Sequence, residues 1–141
     1  MTALKKLKQK IDQEEISGKD IILFAESLVD IAENSEDIQE LLEDMADEEE
    51  NVILNMNLTD MDGIAAVLSI IDGEISAKGE LHESPDLTIE MTEDTAIEIL
   101  YGRQNIQGAY GAGKIKAKGN FAKVLGLALI LEELSDELNI A

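Results

Sequence analysis

The sequence predicts an α+β fold: a five-stranded, mainly antiparallel sheet covered by helices on one face, with extra N-terminal helices. Three observations carry this reading. Over the first fifty residues the apolar side chains recur three and four apart, the spacing of one helix face. From Val52 onward the pattern changes to alternation, in short segments that recur up to Lys118. Aspartate–glycine pairs, Asp62-Gly63 and Asp72-Gly73, punctuate those segments where hairpin turns belong.

Each element follows in order. Leu4, Leu7 and Ile11 form a stripe between lysines, and Ser17-Gly18 separates this helix from a second one. The second holds Ile21, Ile22, Phe24, Ala25, Leu28, Val29 and Ile31, interleaved with Glu26, Asp30 and Glu33. Ser35 followed by Glu36 and Asp37 is an N-cap with acid in the first turn, where the helix dipole favours it. Ile38, Leu41, Leu42 and Met45 continue that third helix. In VILNMNL, Val52, Leu54, Met56 and Leu58 share one face, with Asn55 and Asn57 on the other. IAAVLSII and EISAKGE follow, each after an aspartate–glycine turn. Ser84-Pro85-Asp86 breaks the chain before Leu87, Ile89 and Met91, which alternate with Thr88 and Glu90. These four strands read as one antiparallel meander. Thr92, Glu93 and Asp94 open a helix whose apolar side is Ala96, Ile97, Leu100 and Tyr101, and Gly102 suits its end. The stretch NIQGAYGAG reads as a flexible turn into a fifth strand, KIKAKG. Asn120 caps a last helix, apolar nearly all round in its first half, which implies burial on several sides.

Composition bounds the function. A chain of 141 residues fits one domain. It has no cysteine and a single histidine, His82, which argues against a disulfide scaffold, thiol catalysis and a multi-histidine metal centre. A net charge of −20 repels nucleic-acid phosphate and anionic headgroups, and 3% aromatics offer little for base stacking. No apolar signal core follows the basic start, and the longest apolar run, Val124 to Leu131, is far short of the ~20 residues a membrane helix needs. A cytoplasmic protein without stable membrane insertion is expected.

Motifs that suggest chemistry fail on their surroundings. Gly108 to Lys114 satisfies GxxxxGK, but Ile115 stands where a phosphate loop needs a hydroxyl for magnesium, and a strand follows instead of a helix. Asp60, Asp62 and Gly63 resemble the start of a calcium loop, yet Ile64-Ala65-Ala66-Val67 follow, so a hairpin turn is the reading. Neighbouring acids such as Glu48/Glu49 do not face each other on a helix. His82 beside Glu83 reads as a surface histidine. No catalytic residue, metal ligand or cofactor is therefore assigned, and an enzyme is not expected. What remains is apolar. Met56, Leu58, Leu68, Ile70, Ile89, Met91, Ile97, Leu100, Tyr101, Phe121, Leu125 and Leu129 are expected to face the space between sheet and helices and to bind a ligand there. The alternative is a small protein–protein interaction or self-association module with a solid core. Volume separates the two, since a carrier needs a cavity of ~300 Å³ or more.

Residues ~50 to 138 resemble the sterol-carrier-protein lipid-transfer domain. The resemblance rests on an ordered set: IIDGEISAKGE, then DLTIEMTEDTAIEILYGRQNI, then GAYGAGKIKAKGN with its lysines alternating with apolar residues, then the apolar last helix. It implies a five-stranded sheet with helices covering an apolar tunnel for sterols, fatty acids or acyl-CoA. The meander and the helices 93–101 and 120–138 would line that tunnel. It divides the chain into an N-terminal helical extension, 1–34, packed on a lipid-binding domain, 35–141. The expected partner is an apolar, lipid-like small molecule, with a homodimer through the helices as a further expectation. The last helix ends in Glu132, Glu133, Asp136 and Glu137, which oppose its dipole. Two readings of its end stay open: Leu134 and Leu138 finish the core, or the end frays as a gate that they latch.

Overall fold

The structure, a computed structural model, describes residues 2–104 and 106–120. The expected last helix, the expected lining residues Phe121, Leu125 and Leu129, and the end at Leu134 and Leu138 lie outside the described residues.

Three helices come first: α1 (Thr2–Asp12), α2 (Ile21–Asn34) and α3 (Glu36–Asp47). Strands β1 (Val52–Leu58), β2 (Ala65–Ile71), β3 (Glu74–Lys78) and β4 (Leu87–Met91) follow. Then come α4 (Glu93–Leu100), α5 (Ile106–Gly111) and β5 (Lys116–Gly119). The strands form one five-stranded sheet in the order β3-β2-β1-β4-β5. All neighbours are antiparallel except β1 and β4, which are parallel.

The parallel pair corrects the four-strand meander. The meander stops at β3, and β4 joins the far side of β1. The register shows why a short connection suffices. Lys78 at the end of β3 is level with Val67, Val67 with Asn55, and Asn55 with Thr88 at the start of β4. Segment 79–86 therefore moves only sideways, across three strand spacings of ~4.8 Å or ~14 Å in total. Asn55 holds it there. Its Nδ2 donates to the His82 carbonyl at 2.9 Å, and its Oδ1 accepts from the His82 N–H at 2.9 Å. His82 itself is exposed, its Nδ1 accepting from the Ser84 N–H.

Local signals account for the element ends. Asp72 and Gly73 have φ of 54° and 79°, the two positive values of a type I′ hairpin turn between β2 and β3. Thr92 caps α4 by accepting from the Thr95 N–H, and Asp60 accepts from the Glu93 N–H at 2.8 Å. Ser35 caps α3, accepting from the Ile38 N–H at 3.3 Å. Ser35→Ala is expected to cost about 0.5–1 kcal/mol, read as a lower denaturant midpoint at unchanged slope. The glycine-rich stretch departs from expectation: residues 106–111 form α5 rather than a flexible turn, and the reversal comes later, at Gly113. Two glycines, Gly108 and Gly111, weaken a helix but do not forbid one that has a buried anchor, and Ala109 is fully buried.

The N-terminal helices share the core. Leu4 and Leu7 belong to the same buried cluster as the sheet residues and Ile115. Asp30 on α2 accepts from the N–H groups of Ala3 and Leu4, satisfying the start of α1 across a gap of twenty-six residues. Asp20, buried at the start of α2, pairs with Lys10 at 3.0 Å and accepts from the Ser17 N–H.

Candidate functional site

One side of the sheet is apolar in rows that cross the strands. Ile75, Ile70 and Val52 form one row. Ala77, Leu68, Leu54 and Leu87 form the next, and Ala66, Met56, Ile89 and Ala117 a third. Leu58 and Met91 close the face toward α4. The other side carries Glu74, Ser76, Lys78, Thr88, Glu90, Lys116 and Lys118, with Lys118 and Glu90 paired at 3.4 Å. Alternation separates the two chemistries on β3, β4 and β5, whereas β1 and β2 also carry Ile53, Ala65 and Val67 on that second side, the last two buried.

The expected lining residues fall as follows. Met56, Leu58, Leu68, Ile70, Ile89 and Met91 all project from the apolar side and are buried, Ile70 fully and Ile89 at 9% exposure. Leu100 is buried on α4, while Ile97 and Tyr101 are half-buried. The set divides by its cover. Leu68 and Ile70 sit on the half of the sheet over which α2 packs. Met56, Leu58, Ile89 and Met91 sit on the β1–β4 half, level with two alanines, Ala66 and Ala117.

Tyr101 does more than line a surface. Its hydroxyl accepts from the Ile16 N–H at 3.1 Å, and its ring lies 4.5 Å from the Arg103 guanidinium. At the other end of α4, Glu93 accepts from the Gly18 N–H at 2.9 Å. Helix α4 thus holds the α1–α2 connection at two points. An eighty-five-residue separation hides this contact from any local pattern.

A second feature was not read from the sequence. An open groove of about 480 Å³ runs between α1, α2 and β3, lined by Leu23, Val29, Ile75 and Ala77 together with Lys6, Glu26, Asp30 and Glu33. None of the expected lining residues borders it. Among the described residues no cluster of three metal-ligating side chains occurs, and no helix is long and apolar enough to cross a membrane.

Comparison with known proteins places this geometry. The fold is similar to a crystal structure of sterol carrier protein 2, with a TM-score of 0.57 and 24% identity, covering 83% of this chain and 94% of that one. It is similar to UbiJ-SCP2, a ubiquinone synthesis protein, with a TM-score of 0.56 and 12% identity over 82% and 92% of the two chains. The sec-alkylsulfatase Pisa1 from Pseudomonas sp. also matches, at a TM-score of 0.43 and 21% identity over 64% of this chain, which spans only 14% of that enzyme's length. No curated protein matches. Residues 28–132 match the SCP-2 sterol transfer family, so the sheet, the acidic-capped helix α4 and the lysine-bearing strand β5 are those of a member: the chain belongs to the SCP-2 sterol transfer family.

Proposed function

We propose that the chain is a non-enzymatic carrier of an apolar, lipid-like molecule such as a fatty acid or acyl-CoA, held between the apolar side of the sheet and the helices. Family membership supports lipid binding and transfer in general. The observation that carries the finer reading is the β1–β4 half of the apolar face. Two methionines, Met56 and Met91, lie there beside Ile89, and the row through Met56 ends in alanines. Methionine is unbranched and soft, so it reshapes around an irregular apolar guest. Small alanines on the flanking strands, in place of leucines, let the methionines and a guest share that row without overpacking.

Native mass spectrometry of the purified chain, followed by organic extraction, tests this reading. The expected result is a lipid-sized mass released on extraction, and saturable uptake of a fluorescent fatty acid by the delipidated protein. A chain that carries no such mass and takes up no fatty acid is a solid interaction module instead.

A further inference from the structure

Among the described residues strand β3 is an edge of the sheet, with β2 as its strand neighbour. The turn fixes which of its backbone groups are free. A two-residue type I′ turn makes its flanking residues, Ile71 and Glu74, a hydrogen-bonded pair. Hydrogen-bonded pairs alternate along an antiparallel ladder, so Ser69–Ser76 and Val67–Lys78 are the next two. Ile75 and Ala77 therefore turn their N–H and C=O groups outward, away from β2. Their side chains border the open groove beside the strand.

We propose that the chain forms a two-fold dimer in which β3 pairs antiparallel with β3 of a second copy, centred on Ser76. This register uses every outward backbone group on the strand. Ile75 exchanges both bonds with the partner's Ala77, and Ala77 with the partner's Ile75. The charges fit the same register. Glu74 falls opposite the partner's Lys78, in a non-hydrogen-bonded position where facing side chains come closest. The symmetry repeats the pair, so the strand Glu-Ile-Ser-Ala-Lys is complementary to itself. The other edge behaves oppositely. Two-fold pairing of β5 about Ala117 would set Lys116 against the partner's Lys118. The assembly therefore closes as a dimer through β3 rather than growing through both edges. The partner's strand would also bring Ile75 and Ala77 of each copy side by side at the mouth of the groove. Against this stand the net charge of −20 per copy and the acids Glu26 and Glu33 in the groove. Association is therefore strengthened by salt, which screens that repulsion. This pairing does not depend on what the apolar face binds.

Sedimentation velocity on the full chain tests the proposal. The wild type is expected to shift toward dimer between about 0.1 M and 1 M salt, as the screening length falls from about 10 Å to 3 Å. Lys78→Glu places like charges opposite each other twice and is expected to weaken association by about tenfold. The double reversal Glu74→Lys with Lys78→Glu restores it. Ala77→Pro removes an N–H that β2 does not use, so it is expected to abolish the dimer while the monomer melts as before. A wild type that stays monomeric to about 1 mM overturns the proposal and leaves the edge to a foreign strand. So does a dimer whose affinity neither variant changes, or a double reversal that fails to restore association; the charge variants decide the matter even if the proline variant does not fold.

Discussion

Gly119→Ala is expected to be among the most damaging single substitutions in the described chain. Gly119 has a φ of 128°, a conformation that residues with a Cβ rarely adopt. A Cβ there would run into the Asp86 carbonyl oxygen and stand 3.0 Å from the Asp86 carbonyl carbon and the Leu87 Cα. The obstacle is backbone, and it is pinned. The Asp86 N–H donates to the Ile53 carbonyl at 2.8 Å, and its Oδ2 accepts from the Ile53 N–H at 2.8 Å. The Asn120 N–H then closes on the Asp86 carbonyl at 2.7 Å. The chain cannot yield without releasing β1 from the crossing segment. Strain of about 1–3 kcal/mol and overpacking of about 1–3 kcal/mol add to a large share of a domain's ~5–15 kcal/mol. Thermal and denaturant unfolding measure it. Gly111→Ala, on α5 with open space around its Cβ position, is the control and is expected to be neutral or slightly stabilising. Equal, small effects of both would show that the β4–β5 edge rearranges.

The same region shows where sequence patterns stop. Alternation assigned Met56, Leu58, Ile89 and Met91 to one face correctly, because a period of two fixes faces whatever the neighbours are. It does not fix neighbours. Nothing in Leu87 to Met91 distinguishes pairing with β3 from pairing with β1, so the parallel β1–β4 pair was not legible. Caps were legible because Ser35 and Thr92 act within three residues of themselves. The long-range caps were not: Asp30 serves α1, Asp60 serves α4, and Tyr101 reaches Ile16. Asp30 and Asp60 are ordinary surface-type residues until the fold brings their partners, and Tyr101 reads only as part of the apolar side of α4. The groove beside β3 was missed for a related reason. Ile75 and Ala77 read as one apolar face of a strand, and only the strand order reveals that this strand ends the sheet.

Asn55 is the polar residue whose meaning changes most between sequence and structure, and it yields the second large expected effect. Alternation sets it on the solvent side with Asn57, yet it is only 4% exposed, because segment 79–86 crosses over it. Asn55→Asp keeps the shape and changes one property. One carboxylate oxygen still accepts from the His82 N–H. The other faces the His82 carbonyl with no proton to offer, so two acceptors meet in a buried place. At neutral pH this is expected to cost about 3 kcal/mol or more, the range for a buried group left unsatisfied and charged. Protonation repairs it, since a neutral carboxyl donates to that carbonyl as the amide did. The folded chain therefore raises the pKa of the new carboxyl above the ~3.9 of the unfolded chain. The sign follows from this. Below the unfolded value both states are protonated and the variant approaches wild type. As pH rises from there through the raised folded value, the unfolded state ionises first and stability falls; above it the deficit is constant. Melting temperatures of variant and wild type, compared at each pH, cancel the titration of the chain's other acids. The expected outcome is a deficit large at pH 7 and much smaller near pH 4. A deficit equal at both would mean that water reaches the carboxylate because the crossing segment lifts away, and no deficit at all would mean that the Asn55 clamp does not hold that segment.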